Sequence, residues 1–127
     1  MRDTDAVLTS YLLGTTSLAS AVHNRIYAAQ NLPSGTEPPA ILFKARSGSI
    51  DYSGKMLSPS FQFRCYGSTE KEARSIASLL YNALNDSRGN GIHWGWLEPG
   101  TYPVLLSEPE SNWPYILIYF RMHFHNN

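Results

Sequence analysis

Residues 60–86 read SFQFRCYGSTEKEARSIASLLYNALND, and this stretch decides the fold. In its first part, Phe61, Phe63 and Cys65 occupy every second position. That two-residue period is typical of a β-strand with one apolar face. Gly67 then breaks the pattern and ends the predicted strand.

The second part of the stretch has the marks of an amphipathic helix. Thr69 and Glu72 have capping-box spacing, so the threonine can accept from a free amide while the glutamate reaches back. Apolar residues then recur at the spacing of one buried helix face. They are Ala73, Ile76, Ala77, Leu80 and Leu84. A strand that turns directly into such a helix is a packing unit, and nothing in it indicates catalysis.

Outside this unit, the pattern predicts a helix near the N-terminus and several strands. Asp3 or Thr4 can cap that helix, and Gly14 ends it. The segment Ile50–Leu57 has little to bury, so it either extends a hairpin arm or forms a mobile loop. Strands are expected at Ala40–Arg46, Ile92–Trp96, Tyr102–Ser107 and Tyr115–His123.

The order of these elements predicts an α+β fold in a single domain over residues 1–127. We expect a mainly antiparallel sheet of about four to six strands, with two helices packed on one face. The other face is then either solvated or buried in an assembly. The side chains expected on it include Leu42, Tyr66, Leu117 and Tyr119.

Composition excludes several classes of protein. The chain has 10 basic and 10 acidic residues, whereas a nucleic-acid-binding protein usually has a clear basic excess. Cys65 is the single cysteine, which excludes an intrachain disulfide and favours a reducing cytoplasm as the place of synthesis and assembly. The longest apolar run, Tyr115–Phe120, is too short to span a bilayer. The first residues do not show the charged-then-apolar pattern of a signal peptide, so we expect none.

Histidines and tryptophans raise two chemical alternatives. His123 and His125 lie on one side of a predicted strand, where they can share a metal ion with Glu108 or Glu110, but the chain lacks the ligand spacing of reliable zinc sites. We therefore expect no metal. Cys65 falls on the apolar face of its strand, and the chain has no nucleophile-elbow or phosphate-loop motif, so we also expect no cofactor and no enzymatic activity. The aromatic residues near the C-terminus have acidic neighbours, so core packing or a protein interface is a better interpretation than base stacking. These aromatic residues are Trp94, Trp96, Tyr102 and Trp113.

Charge is distributed unevenly along the chain. Basic residues concentrate in the middle, whereas Arg121 is the only late basic residue among several glutamates. Copies with separated charges can dock head-to-tail, and such contacts close into rings or continue as filaments. The candidate residues for a contact between subunits are Lys44, Arg46, Asp51, Tyr52, Lys55, Glu98, Glu108 and Glu110.

The order of four segments carries a resemblance to a known family. The segments are Asn24–Tyr27, Pro38–Phe43, Phe61–Asn85 and Trp113–Phe124. In this order, and with the short motifs Arg-Ile-Tyr and Cys-Tyr-Gly-Ser, the segments resemble the tail-completion, or tail-terminator, proteins of long-tailed bacteriophages and prophages. The resemblance covers most of the chain.

The resemblance implies a structural role in the virion, at the head-proximal end of the tail. It implies a ring of identical subunits, usually a hexamer, that sits on the last ring of tail tube protein. The ring would end tail elongation and present a surface to the head-side connector, while DNA passes through its lumen without sequence-specific binding. No membrane is implied. Two alternatives stay open: another head–tail connector ring protein, or a small cytoplasmic enzyme or ligand-binding domain.

Overall fold

The computed structural model describes residues 1–126, which form three helices and seven strands. The helices are α1 (Thr4–Leu13), α2 (Thr16–Ala21) and α3 (Glu70–Leu84). The strands are β1 (Ile26–Ala28), β2 (Ala40–Ile50), β3 (Met56–Tyr66), β4 (Ser87–Gly89), β5 (Ile92–Leu97), β6 (Val104–Ser107) and β7 (Pro114–His125). No helix in this part of the chain has both the length and the apolar character needed to cross a membrane.

The strands form one sheet in the order β1-β2-β3-β7-β5-β4, and β6 pairs with the first part of β7 beside β5. Only β1 and β2 pair in parallel; the other pairings are antiparallel. β7 is therefore the central strand, in contact with three neighbours. The apolar character of its first half on both faces fits this position.

All three helices cover the same face of the sheet. Leu8 and Leu12 of α1, Leu18 of α2 and the stripe of α3 share one core with the strands. Phe61, with Phe63 and Cys65, contributes the inward face of β3, and each of the three is fully buried. The predicted α+β class is thus confirmed. The structure adds one strand beyond the expected number and the short helix α2.

Local side-chain contacts fix both predicted helix starts. The hydroxyl of Thr69 accepts a hydrogen bond from the amide of Glu72 at 3.1 Å, and the Glu72 carboxylate accepts from the amide of Ser68 at 2.7 Å. Asp3 caps α1 in the same way by accepting from the amide of Ala6 at 3.1 Å. These acceptors satisfy amides that the first helical turn leaves free.

The segment between β2 and β3 forms a hairpin arm, the first of the two predicted alternatives. β2 continues to Ile50, beyond the predicted end at Arg46, and a bulge after Ala45 shifts its register with β3. The Asp51 carboxylate closes the turn by accepting from the amides of Lys55 and Met56 at 2.9 and 3.1 Å. Serine and glycine, which make up much of this arm, have low strand propensity. The pairing with β3 therefore holds this segment in the strand conformation.

Candidate functional site

The face of the sheet opposite the helices, which we call the open face, is the candidate functional site. Its side chains alternate along each strand with those that enter the core. Leu42, Tyr66 and Leu117 lie there in a second apolar cluster, as the sequence predicted. Tyr119 lies there too, under the guanidinium of Arg46 at 3.9 Å from its ring centroid.

One end of the open face is an apolar patch under a loop. Tyr66 and Tyr115 pack with ring centroids 5.1 Å apart, and Leu42 completes the buried cluster. Leu32 and Trp113 pack against it from neighbouring loops. The loops therefore cover only part of this face, and a cleft of about 390 Å³ stays open beside them.

Polar groups meet at the edge of this cleft. The hydroxyl of Tyr66 donates a short hydrogen bond to the carboxylate of Glu108, and a guanidinium nitrogen of Arg64 lies 3.3 Å from the same carboxylate oxygen. Burial raises the pKa of Tyr66 to about 12. The tyrosine is therefore a neutral donor at physiological pH. The group fixes the turn that carries Glu108 onto the sheet.

A second polar group lies at the middle of the open face and centres on Glu98. Its carboxylate accepts two hydrogen bonds from Arg121, at 2.8 and 3.1 Å, and lies 3.8 Å from Arg46. Only 8% of Glu98 is exposed. Two-point pairing with arginine is the geometry that compensates a buried carboxylate best. The contacts hold the turn after β5 against the central strand.

We expect Glu98→Ala to destabilise the fold by about 2 kcal/mol, because it leaves the Arg121 guanidinium without its anion in a partly buried place. Thermal unfolding monitored by circular dichroism measures the loss. Glu110→Ala is the matched control, since Glu110 is exposed and forms no ion pair among residues 1–126. Equal melting temperatures for the two variants would contradict this assignment.

The structure divides the predicted interface residues into three groups. Arg46, Glu98 and Glu108 are engaged inside the subunit, so basic and acidic residues that are far apart in sequence meet in one chain. Lys44 lies on the same face and donates to the side chain of Gln30 at 3.0 Å. The remaining predicted residues are exposed: Asp51, Tyr52 and Lys55 on the hairpin, and Glu110 on the turn before β7.

The far end of the open face carries histidines and tryptophans. His93 and His125 have ring centroids 4.6 Å apart, and Trp96 lies 4.9 Å from the ring of His123. Glu108 pairs near the opposite end of β7, so the predicted histidine and glutamate ligands are not brought together. No cluster of three potential metal ligands occurs in residues 1–126. A bulge in β5 between Ile92 and Trp94 accompanies the contact of His93 with His125, which the linear sequence did not indicate.

Comparisons with known proteins identify the fold. No family model matches the chain, and no curated protein matches it. A chain from the virion of the native gene transfer agent particle has a TM-score of 0.62 and 16% identity, over 94% of this chain and 95% of that one. The gp17 protein of bacteriophage SPP1 has a TM-score of 0.52 and 17% identity, over 98% and 89%. The resemblance to phage proteins is confirmed at the level of the fold.

Proposed function

We propose that this protein is a structural component of a phage or phage-like particle. In this proposal it forms a ring that caps the tail tube, ends tail elongation and presents the surface that joins the head. The tail tube protein and the head-side connector are its partners, and DNA crosses the ring lumen without sequence-specific contacts. It acts at the head-proximal end of the tail and has no enzymatic role.

One observation carries the proposal: the fold matches a gene transfer agent virion chain from end to end, over 94% of one chain and 95% of the other. The sheet supports the same conclusion, because its open face combines apolar, aromatic and charged side chains in the manner of a protein interface. The neutral net charge fits a ring that lets DNA pass without binding its sequence.

Electron microscopy of particles tests the role directly. Disruption of the gene in the genome that encodes it should yield filled heads beside free tails of abnormal length, and a plasmid copy should restore joined particles. Free tails of normal length would instead favour the alternative of a head–tail connector. Particles of unchanged number and shape would refute both structural roles and favour a small enzyme or ligand-binding domain.

Charge reversal on the open face tests whether this face takes part in ring contacts. We expect Lys44→Glu to weaken assembly at modest salt, because the new glutamate would face an acidic surface of the neighbouring copy. The free-energy cost of this repulsion recurs at every joint of the ring. Arg46 is unsuitable for this test, since its guanidinium lies 3.8 Å from Glu98 within the subunit. Light scattering measures the mass of the assembly at modest and high salt.

Lys71→Glu is the control for this experiment. It makes the same change of charge at an exposed position on α3, on the opposite side of the sheet. Assemblies of equal mass from both variants would exclude Lys44 from the joint.

A further inference from the structure

An apolar groove runs between α3 and the strands β6 and β7. Its volume is about 570 Å³, and its apolar lining includes Ala77, Leu105 and Ile116. The flanking aromatic rings are open to solvent: Tyr81 is 40% exposed and Tyr102 is 83% exposed. Contiguous apolar surface of this kind marks a place where another molecule packs.

The hairpin between β2 and β3 presents exposed apolar side chains that could fill such a groove. Its turn carries Tyr52, whose side chain is fully exposed, next to Ile50, which is 48% exposed. The turn is held in place, because the side-chain amide of Asn126 donates to the carbonyl of Gly54 at 2.9 Å. A fixed turn presents these apolar side chains with little further loss of conformational entropy on binding.

The chain cannot place this hairpin in its own groove. Met56, at the base of the hairpin, pairs with His125, whereas Ile116 in the groove lies near the other end of β7. A strand rises about 3.3 Å per residue, so roughly 30 Å separate the two features. A second copy, related by a head-to-tail displacement, brings a hairpin to a groove.

The charges at the two surfaces are complementary. Arg74 lines the groove and forms an i,i+4 pair with Glu70 at 3.7 Å. The hairpin turn carries Asp51 and Lys55, one charge of each sign. Backbone amides of the turn, chiefly that of Met56, lower the pKa of Asp51, so it is an anion at physiological pH. The Arg74 guanidinium of the groove and the Asp51 carboxylate of the hairpin therefore have opposite charges.

We propose that the hairpin of one copy inserts Tyr52 and Ile50 into the groove between α3 and β6 of the next copy. This inference rests on the proposed ring, in which the two copies are neighbours. The contact is heterologous, so its repetition around a rotation axis closes a ring, and every joint buries the same two side chains. Tyr52 has the features of an interface hot spot, a rigid aromatic side chain that fills a recess.

Disulfide cross-linking tests the contact. The double variant Ser53→Cys/Ser78→Cys places one thiol on the hairpin, beside an intact Tyr52, and one in the groove. The native Cys65 is buried and does not compete. Mild oxidation should give a ladder of linked multimers on a denaturing gel, and a reductant should return it to monomer. The highest band gives the number of subunits in the ring.

The control is Leu13→Cys/Ser78→Cys, because Leu13 is also exposed, at 41%, and lies outside both surfaces. This variant should give no ladder. A ladder of equal strength from the control, or none from the Ser53→Cys/Ser78→Cys variant, overturns the inference. In addition, Tyr52→Ala should weaken association at least about tenfold, with an unchanged circular dichroism spectrum, whereas Leu13→Ala should not.

The outcomes separate this inference from the proposed function. If the wild type forms rings, or gene disruption leaves free tails, while the Ser53→Cys/Ser78→Cys variant gives no ladder, the hairpin contact is rejected and the structural role is kept. A ladder together with unchanged particles after gene disruption would keep the contact and reject the role in the tail. Wild-type protein that stays monomeric both in solution and in particles would reject the contact.

Discussion

Ile76→Asp is expected to unfold the protein. Ile76 lies in the apolar stripe of α3 and is 3% exposed, packed in the core with the strands. An aspartate there is an unpaired charge in an apolar place, which costs several kcal/mol. Domains of this size have a total stability of roughly 5–15 kcal/mol, so the loss is comparable to the whole. Circular dichroism and thermal unfolding measure it.

Ser75→Asp is the matched control, since it introduces the same charge one residue earlier on the exposed side of α3. Arg74→Ala, which removes an outward charge, should also leave the fold intact. A cooperative transition for Ile76→Asp at the melting temperature of these controls would show that the buried face of α3 is assigned wrongly.

The second large effect is expected for Gly67→Ala at the junction of β3 and α3. A Cβ atom there would lie 2.4 Å from the amide nitrogen of Ala73 and 2.8 Å from the carbonyl oxygen of Thr69. Both are backbone atoms, so the strand and the first helical turn must move apart. Overpacking of this kind costs about 3 kcal/mol, which corresponds to a fall of about 10 °C in melting temperature.

Gly14→Ala is the control for Gly67, because its φ of −78° suits any residue and its nearest backbone contact would be 3.4 Å. It should leave the melting temperature nearly unchanged. A small change at Gly67 and a large one at Gly14 would contradict the tight junction.

The strand and helix of residues 60–86 were predictable because each carries its own periodic pattern. Phe61 and Phe63 alternate, Ile76 and Leu80 share one face, and Thr69 caps the helix, so local physics alone specifies the unit. The class of fold and the open face followed from it. The continuation of β2 beyond Arg46 was predicted only as one of two alternatives. Its strand conformation depends on pairing with β3 rather than on its own residues.

The internal ion pairs were not predictable from the linear sequence. Arg64 meets Glu108 and Arg121 meets Glu98 because β3, β5 and β7 lie side by side, an order that only the complete topology defines. The uneven charge along the chain predicted contacts between copies, whereas these two ion pairs form within one subunit. The contacts between copies stay a prediction.

The central position of β7 has a consequence for the order in which the chain is translated and folds. Three strands pair with Pro114–His125, and β3 is made nearly fifty residues earlier. Before the ribosome releases this segment, β2, β3 and α3 have already been made, but β3 has no partner on the side where β7 will pair. Part of the core is also still uncovered, because residues of β7 complete it. Folding is thus completed only after translation of the last strand. The groove is formed in the same step, since Ile116 and Ile118 are part of it, so a partly made chain offers its neighbours no finished surface.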